Sequence, residues 1–403
     1  MLGNLAYVGG RIFIVVLLTR QFTSVEVGRV LYALAVVTPL SYLINMELRS
    51  VFVTDTQGQI KAGHCLMSRL VTNSILLLVL LMLCGIQWNN WGIGKSAIIL
   101  LAGMVRGSES WADVYMGVFQ KYEQMKGWAI SQAIKTTLVL LWVIFMPFWT
   151  DNISWMLVGW LSATVVVVWF YDRVQAGRMV PIEPHWEANI GRQLVGRGFP
   201  LGVFVTLAIL NQQVAQYFIE HELGYSAVAY YGVFMMYVSG MTTVQNGVNQ
   251  AILPRLAQYF GKNKLQFLKL LGVVLGVSGA AMLAGLIVVG WQGRAILIIL
   301  NGEEYAEYAS LFFLMICAGC LLLTGMILGD AIIACHRFKS RMVAVGLGLV
   351  VNVIVCWRYV GDYGLKGAVW AAVLSAMVTT LACGVVLIFL FARGKTSADI
   401  RQT

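Results

Sequence analysis

Arg106, Glu109 and Asp113 interrupt an otherwise apolar run between Met104 and Tyr122. At about 100° per residue on a helix, Arg106, Glu109, Ser110, Asp113, Gly117 and Gln120 share roughly 100° of arc, while Met104, Trp111, Val118 and Phe119 point the other way. A charged side chain at mid-membrane costs about 2.5 to 3.5 kcal/mol on insertion scales, so this stripe faces water or an internal partner. Arginine offers phosphate oxygens paired hydrogen bonds and lysine a point charge. Arg11, Arg49, Arg106 and Lys135, all within or at the edge of apolar spans, are therefore the candidates for binding an anionic ligand.

Each has a plainer reading. Arg11 and Lys135 can snorkel, Arg49 can anchor the end of its helix, and Arg106 can pair with Glu109 at i+3. Glu109 and Asp113, one turn apart, suit proton or cation coupling if one has a raised pKa. Equally, they neutralise Arg106 and Lys135 and hold helices together. Asp330 lies in a similar sequence context in the second half and inherits both readings.

The elements that must carry these charges are membrane spans. Of 403 residues, 59% are hydrophobic and 11% charged, against about 25% charged in a soluble domain, and the mean hydropathy is +0.79. The chain is expected to be an all-α polytopic membrane protein. Its net charge of +10 is dispersed between apolar runs rather than gathered in a patch, which excludes nucleic acid as a partner. Five of the seven cysteines, Cys84, Cys317, Cys320, Cys356 and Cys383, lie inside apolar runs and read as packing residues. His64, His185 and His336 fall in predicted loops. No His and carboxylate set has metal-ligand spacing along the chain and no GxxxxGK[ST] loop occurs, so neither a metal nor a cofactor is expected. The N-terminus lacks the features of a cleaved signal peptide and reads as the first span.

Apolar runs predict helices near 2–19, 28–53, 66–87, 95–119, 127–148 and 152–172, then 196–219, 226–251, 266–291, 307–333, 341–360 and 365–392. The expected organisation is a six-helix lobe over 1–172, a polar linker over 173–194 with Pro181 and Pro184, and a second six-helix lobe over 195–403. With the N-terminus inside, 18 Lys and Arg fall in inside loops and 6 in outside loops, which predicts cytoplasmic termini and a cytoplasmic linker. The halves repeat weakly: Ala112, Asp113, Gly117, Gln120, Lys121 and Tyr122 match Gly329, Asp330, Ala334, His336, Arg337 and Phe338 with one residue fewer between. Two lobes related by an axis along the membrane normal, around a central cavity, follow.

Five segments carry a family resemblance: GFPLGVF from Gly198, LPRLAQYFGKNK from Leu253, LNGEEYAEYASLF from Leu300, ACHRFKSR from Ala334 and YGLKGAVWAAVLS from Tyr363. In this order they resemble the bacterial O-antigen and polysaccharide-repeat flippases of the multidrug, oligosaccharidyl-lipid and polysaccharide exporter superfamily. The resemblance implies two six-helix bundles around a cavity that opens alternately to either side of the bacterial inner membrane. It implies as substrate an oligosaccharide on undecaprenyl diphosphate, moved from the cytoplasmic to the periplasmic leaflet, with other polysaccharide-assembly proteins and membrane lipid as partners. The chain departs from relatives at Asn45 and Glu47, where an Asp and a Gly are frequent, and at Gln212 and Gln213, where a charged pair is frequent. The competing expectations are a cation-coupled drug or metabolite exporter of the same superfamily and a polysaccharide polymerase or ligase. An enzyme is disfavoured because the longest polar connection is short and predicted cytoplasmic.

Overall fold

The computed structural model describes residues 2–55 and 57–392. Among the described residues there are helices and connections and no strand. The first part contains α1 (Leu2–Gln21), α2 (Ser24–Asn45), α3 (Leu48–Thr54), α4 (Ala62–Ile86), α5 (Trp88–Lys121), α6 (Met125–Phe145), α7 (Ser154–Val167) and α8 (Arg173–Gly177). The second contains α9 (Ala188–Leu223), α10 (Tyr225–Lys262), α11 (Lys264–Asn301), α12 (Glu303–Ala306), α13 (Ala309–Ala334), α14 (Phe338–Tyr363) and α15 (Leu365–Ala392). Discounting the short α3, α8 and α12, six helices precede the connection at residues 178–187 and six follow it. Ten of them are long and apolar enough to cross a membrane; the charged α5 is not among the ten. The all-α, twelve-helix class expected from the apolar runs is the one observed.

Local chemistry explains the ends. Thr23 caps α2 through a reciprocal box: its Oγ1 accepts from Glu26 N–H at 3.4 Å, and Glu26 Oε2 accepts from Thr23 N–H at 3.1 Å. Asn263 separates α10 from α11, its Oδ1 accepting from the N–H groups of Leu265 and Gln266 at 3.1 and 3.2 Å. Gly224, at φ 81°, turns α9 into α10 through a backbone conformation that costs glycine little. Helices α9, α10 and α11 are 36, 38 and 38 residues long and overrun the predicted spans. An apolar-run criterion stops at residues such as Arg255, whereas a helix ladder needs no lipid and continues through solvated ends.

The chain divides into two compact units between Gln213 and Val214, a point inside α9. The first packs Leu48, Phe52, Tyr115, Phe119 and Leu194 into one core. Gly202 lets α9 lie against the end of α2, since a Cβ there would stand 2.8 Å from the Met46 Cα. The second unit is centred on Phe260, Phe267, Leu271, Ile327 and Ala331, with Phe391 packed against the two phenylalanines. Along α11, Val273, Val277, Leu283, Ile287 and Trp291 are all more than half exposed, Trp291 by 84%. A continuous apolar face of this kind is what lipid contact requires.

Candidate functional site

The stripe on α5 is the axis of a charged cluster in the first unit. After Asn45 the chain leaves α2 through Met46 and Glu47, both left-handed at φ 53° and 46°, and restarts as α3. The break sets Arg49 beside α5. Arg49 Nη1 lies 3.1 Å from Asp113 Oδ1, and Arg69 Nη2, from α4, lies 3.1 Å from Asp113 Oδ2. One carboxylate therefore sits between two guanidinium groups. Arg69 is buried and donates its Nη1 at 2.6 Å to the carbonyl of Asn45, one of the carbonyls a helix end leaves unpaired. Thr72 donates to Asn45 Oδ1 at 2.9 Å and completes the anchor. Gly117, one turn beyond Asp113, gives Arg49 and Phe52 room to lie across α5.

One turn earlier, Arg106 Nη1 lies 2.6 Å from Glu109 Oε2 and its Nη2 donates to Thr38 Oγ1 at 2.9 Å. Arg106 does hold Glu109, as the i+3 spacing allows. Arg11, from α1, places its guanidinium 5.1 Å from the Trp160 ring centroid on α7, a cation–π contact. Lys135 does not neutralise the α5 carboxylates by direct contact. It lies 2.6 Å from Asp172, a buried residue on the π-helical turn Val168–Asp172 that follows α7. Of the reading that Arg106 and Lys135 neutralise Glu109 and Asp113, the Arg106–Glu109 pair is present and the part given to Lys135 is corrected. Glu109 takes Arg106, Asp113 takes Arg49 and Arg69, and Lys135 has its own carboxylate 37 residues away.

In the second unit Asp330, on α13, pairs with Arg341 from α14 and accepts from Asn249 Nδ2 on α10 at 2.6 Å. Gln245 donates to Asn249 Oδ1 at 2.8 Å behind it.

Arg69, Asp172 and Arg341 escape the sequence reading. Arg69 and Arg341 are among the 18 cations assigned there to inside loops, although Arg69 falls within the run predicted over 66–87 and Arg341 opens the run predicted over 341–360. A cation inside a predicted span was the available signal. His64 is likewise in the first turn of α4 rather than a loop, and the fold gathers it with His185 and Glu187, which spacing along the chain does not reveal.

No family model matches the chain. It is 23% identical over 380 residues to a capsular polysaccharide biosynthesis protein, CapF, of Staphylococcus aureus, covering 92% of this chain and 93% of that protein. Among solved structures it is similar to the lipid II flippase MurJ in an inward closed conformation. The TM-score is 0.73 at 12% identity, over 98% of this chain and 88% of that one. It is also similar to a mutant of the Vibrio cholerae MATE transporter VcmN, with a TM-score of 0.68 at 12% identity over 98% of this chain and 95% of that one. A multidrug resistance MATE family transporter of the MOP superfamily, in an inward-facing conformation, gives 0.66 at 14% identity over 100% and 94%. The chain shares the fold of these transporters over nearly its whole length, and its sequence is similar along the same length to a capsular polysaccharide biosynthesis protein.

Proposed function

We propose that the chain is a flippase for a lipid-linked oligosaccharide, carrying an undecaprenyl-diphosphate-linked repeat unit from the cytoplasmic to the periplasmic leaflet by alternating access. It would serve surface polysaccharide synthesis, whether O-antigen, capsule or exopolysaccharide, in the bacterial inner membrane with both termini cytoplasmic. The observation that carries the reading is the sharing of Asp113 by Arg49 and Arg69. Arg69 is 3% exposed and anchored, so it keeps Asp113 compensated, while Arg49 is 35% exposed. Arg49 can exchange a carboxylate oxygen for a phosphate oxygen without leaving a buried charge alone.

The surrounding charge favours an anion. Arg11, Arg49, Arg69 and Arg106 face Glu47, Glu109 and Asp113, which leaves one positive charge in excess. Arg11 and Trp160 supply a cation beside an aromatic face, and a sugar ring stacks on such a face. On this reading Arg49 and Arg11 touch the headgroup, Arg106 is positioned by Glu109 and Thr38, and Lys135 is structural. Glu109, Asp113 and Asp330 remain the coupling candidates, with Asp113 the one whose partner changes when ligand binds. The similarity to a capsular polysaccharide biosynthesis protein supports the substrate class.

The test is restoration of surface glycan in a strain lacking its own flippase, tried in several glycan backgrounds. Restoration in at least one, lost with Arg49→Ala at equal expression, is the expected result. Failure in every background sinks the reading.

A further inference from the structure

The connection between α8 and α9 lies against the first turn of α4. Gly63 has the Glu183 carbonyl where a Cβ would stand, and His185 N–H approaches Gly63 O at 3.4 Å. This docking brings two imidazoles and a carboxylate to one point. His64 is 3% exposed; its Nε2 makes no hydrogen bond and lies 3.6 Å from Glu187 Oε1. His185 Nε2 lies 3.2 Å from the same oxygen. One donor atom from each of the three residues lies within 4.8 Å of the others.

The distances resemble the edges of a coordination polyhedron more than a hydrogen-bonded triad. Zinc bonds of about 2.0 to 2.2 Å in a tetrahedral arrangement put neighbouring donors about 3.3 to 3.6 Å apart. Of the two edges to Glu187, 3.6 Å lies at the top of that range and 3.2 Å just below it. A buried imidazole nitrogen aimed at a carboxylate beyond hydrogen-bond reach is costly unless something sits between them. Two histidines and a carboxylate are a donor set that zinc takes at sites with an open position.

We propose that His64, His185 and Glu187 bind a divalent transition-metal ion, zinc by its donor set, which fastens the connection before α9 to the start of α4. His185 and Glu187 are 62% and 49% exposed, so the ion enters from solvent. His64 Nδ1 accepts from Lys61 N–H at 3.2 Å, which puts the ring proton on Nε2. On loading, that proton moves to Nδ1, Nε2 gives its lone pair to the metal, and Lys61 N–H gives up its acceptor. The carboxylate of Glu187 and the ring of His185 complete the site, and His64 releases no net proton. The site is independent of what the protein transports.

The test uses the full chain purified in detergent without tag histidines, titrated with Zn²⁺ against a fluorescent zinc chelator. One equivalent is expected to bind, and His185→Ala and Glu187→Gln each weaken it about tenfold or more. Both residues are exposed, so the fold survives; unfolding temperatures of the variants match the parent without metal, and Zn²⁺ raises only the parent's. Loading with Co²⁺ gives visible d–d bands without a sulfur charge-transfer band. Absence of stoichiometric binding overturns the proposal. So does undiminished affinity in the His185→Ala/Glu187→Gln double variant, or a sulfur band showing that a cysteine holds the ion.

Discussion

Asp113 and Asp330 occupy matching positions in the two halves of the sequence, yet the two units compensate them differently. Asp113 has two arginines, one anchored and buried and one partly exposed. Asp330 has a single arginine and a neutral amide, Asn249, itself held by Gln245. Counting direct ion pairs, the first arrangement has one cation more than its carboxylate and the second is balanced. A repeated carboxylate therefore need not mean a repeated function. On the proposed function the first unit offers a guanidinium to an anion, while in the second the same position is an ion pair with a neutral amide beside it.

The largest expected difference comes from removing each carboxylate's charge. Asp113→Asn leaves Arg69 buried without a counter-charge and should cost about 3 to 5 kcal/mol. Asp330→Asn leaves Arg341 more exposed and still able to bond the amide, so about 1.5 to 3 kcal/mol is expected. Thermal unfolding of the purified proteins compares them, and equal losses would dissolve the asymmetry.

Lys135 separates ligand binding from structure inside the first unit. Lys135→Met strands buried Asp172 and should again cost about 3 to 5 kcal/mol, whereas Lys135→Met/Asp172→Leu should recover most of it. Recovered expression together with recovered translocation makes the pair structural. Recovered expression with no translocation returns Lys135 to the ligand.

A smaller stability effect with a larger functional one is expected at Arg49. Its exposure limits the stability loss in Arg49→Ala to under about 1 kcal/mol, while translocation falls about tenfold or more. Arg341→Ala should show the opposite order, measured by surface glycan restored at matched expression. Smallest of all, Thr38→Val removes one bond to Arg106 and should cost about 1.5 kcal/mol, the low end for a bond to a charged group. Its effect on translocation should be slight, because Glu109 still holds Arg106 at 2.6 Å.

The sequence makes the α5 stripe and the twelve long helices legible, because each rests on local periodicity or run length. The Arg106 and Glu109 pair is legible for the same reason, being three residues apart. Asp113's partners are not. Arg69 lies 44 residues away, and counting it as a loop cation hides that it is buried inside α4. The break that aims Arg49 is equally silent, since Met46 and Glu47 take left-handed conformations with no glycine or proline to announce them. Lys135 and Asp172 meet only because α6 packs beside the π-helical turn after α7. Contacts between helices belong to tertiary packing, which no single-helix pattern encodes.

The central claim is that the first unit's spare guanidinium binds a diphosphate headgroup. It is tested most directly by measuring undecaprenyl diphosphate binding to the purified protein in lipid nanodiscs, for the parent, Arg49→Ala and Arg341→Ala. The account predicts about tenfold or more weaker binding for Arg49→Ala, equivalent to about 1.4 kcal/mol, and parent-like binding for Arg341→Ala. Parent-like binding by Arg49→Ala, or an equal loss in both variants, would contradict it.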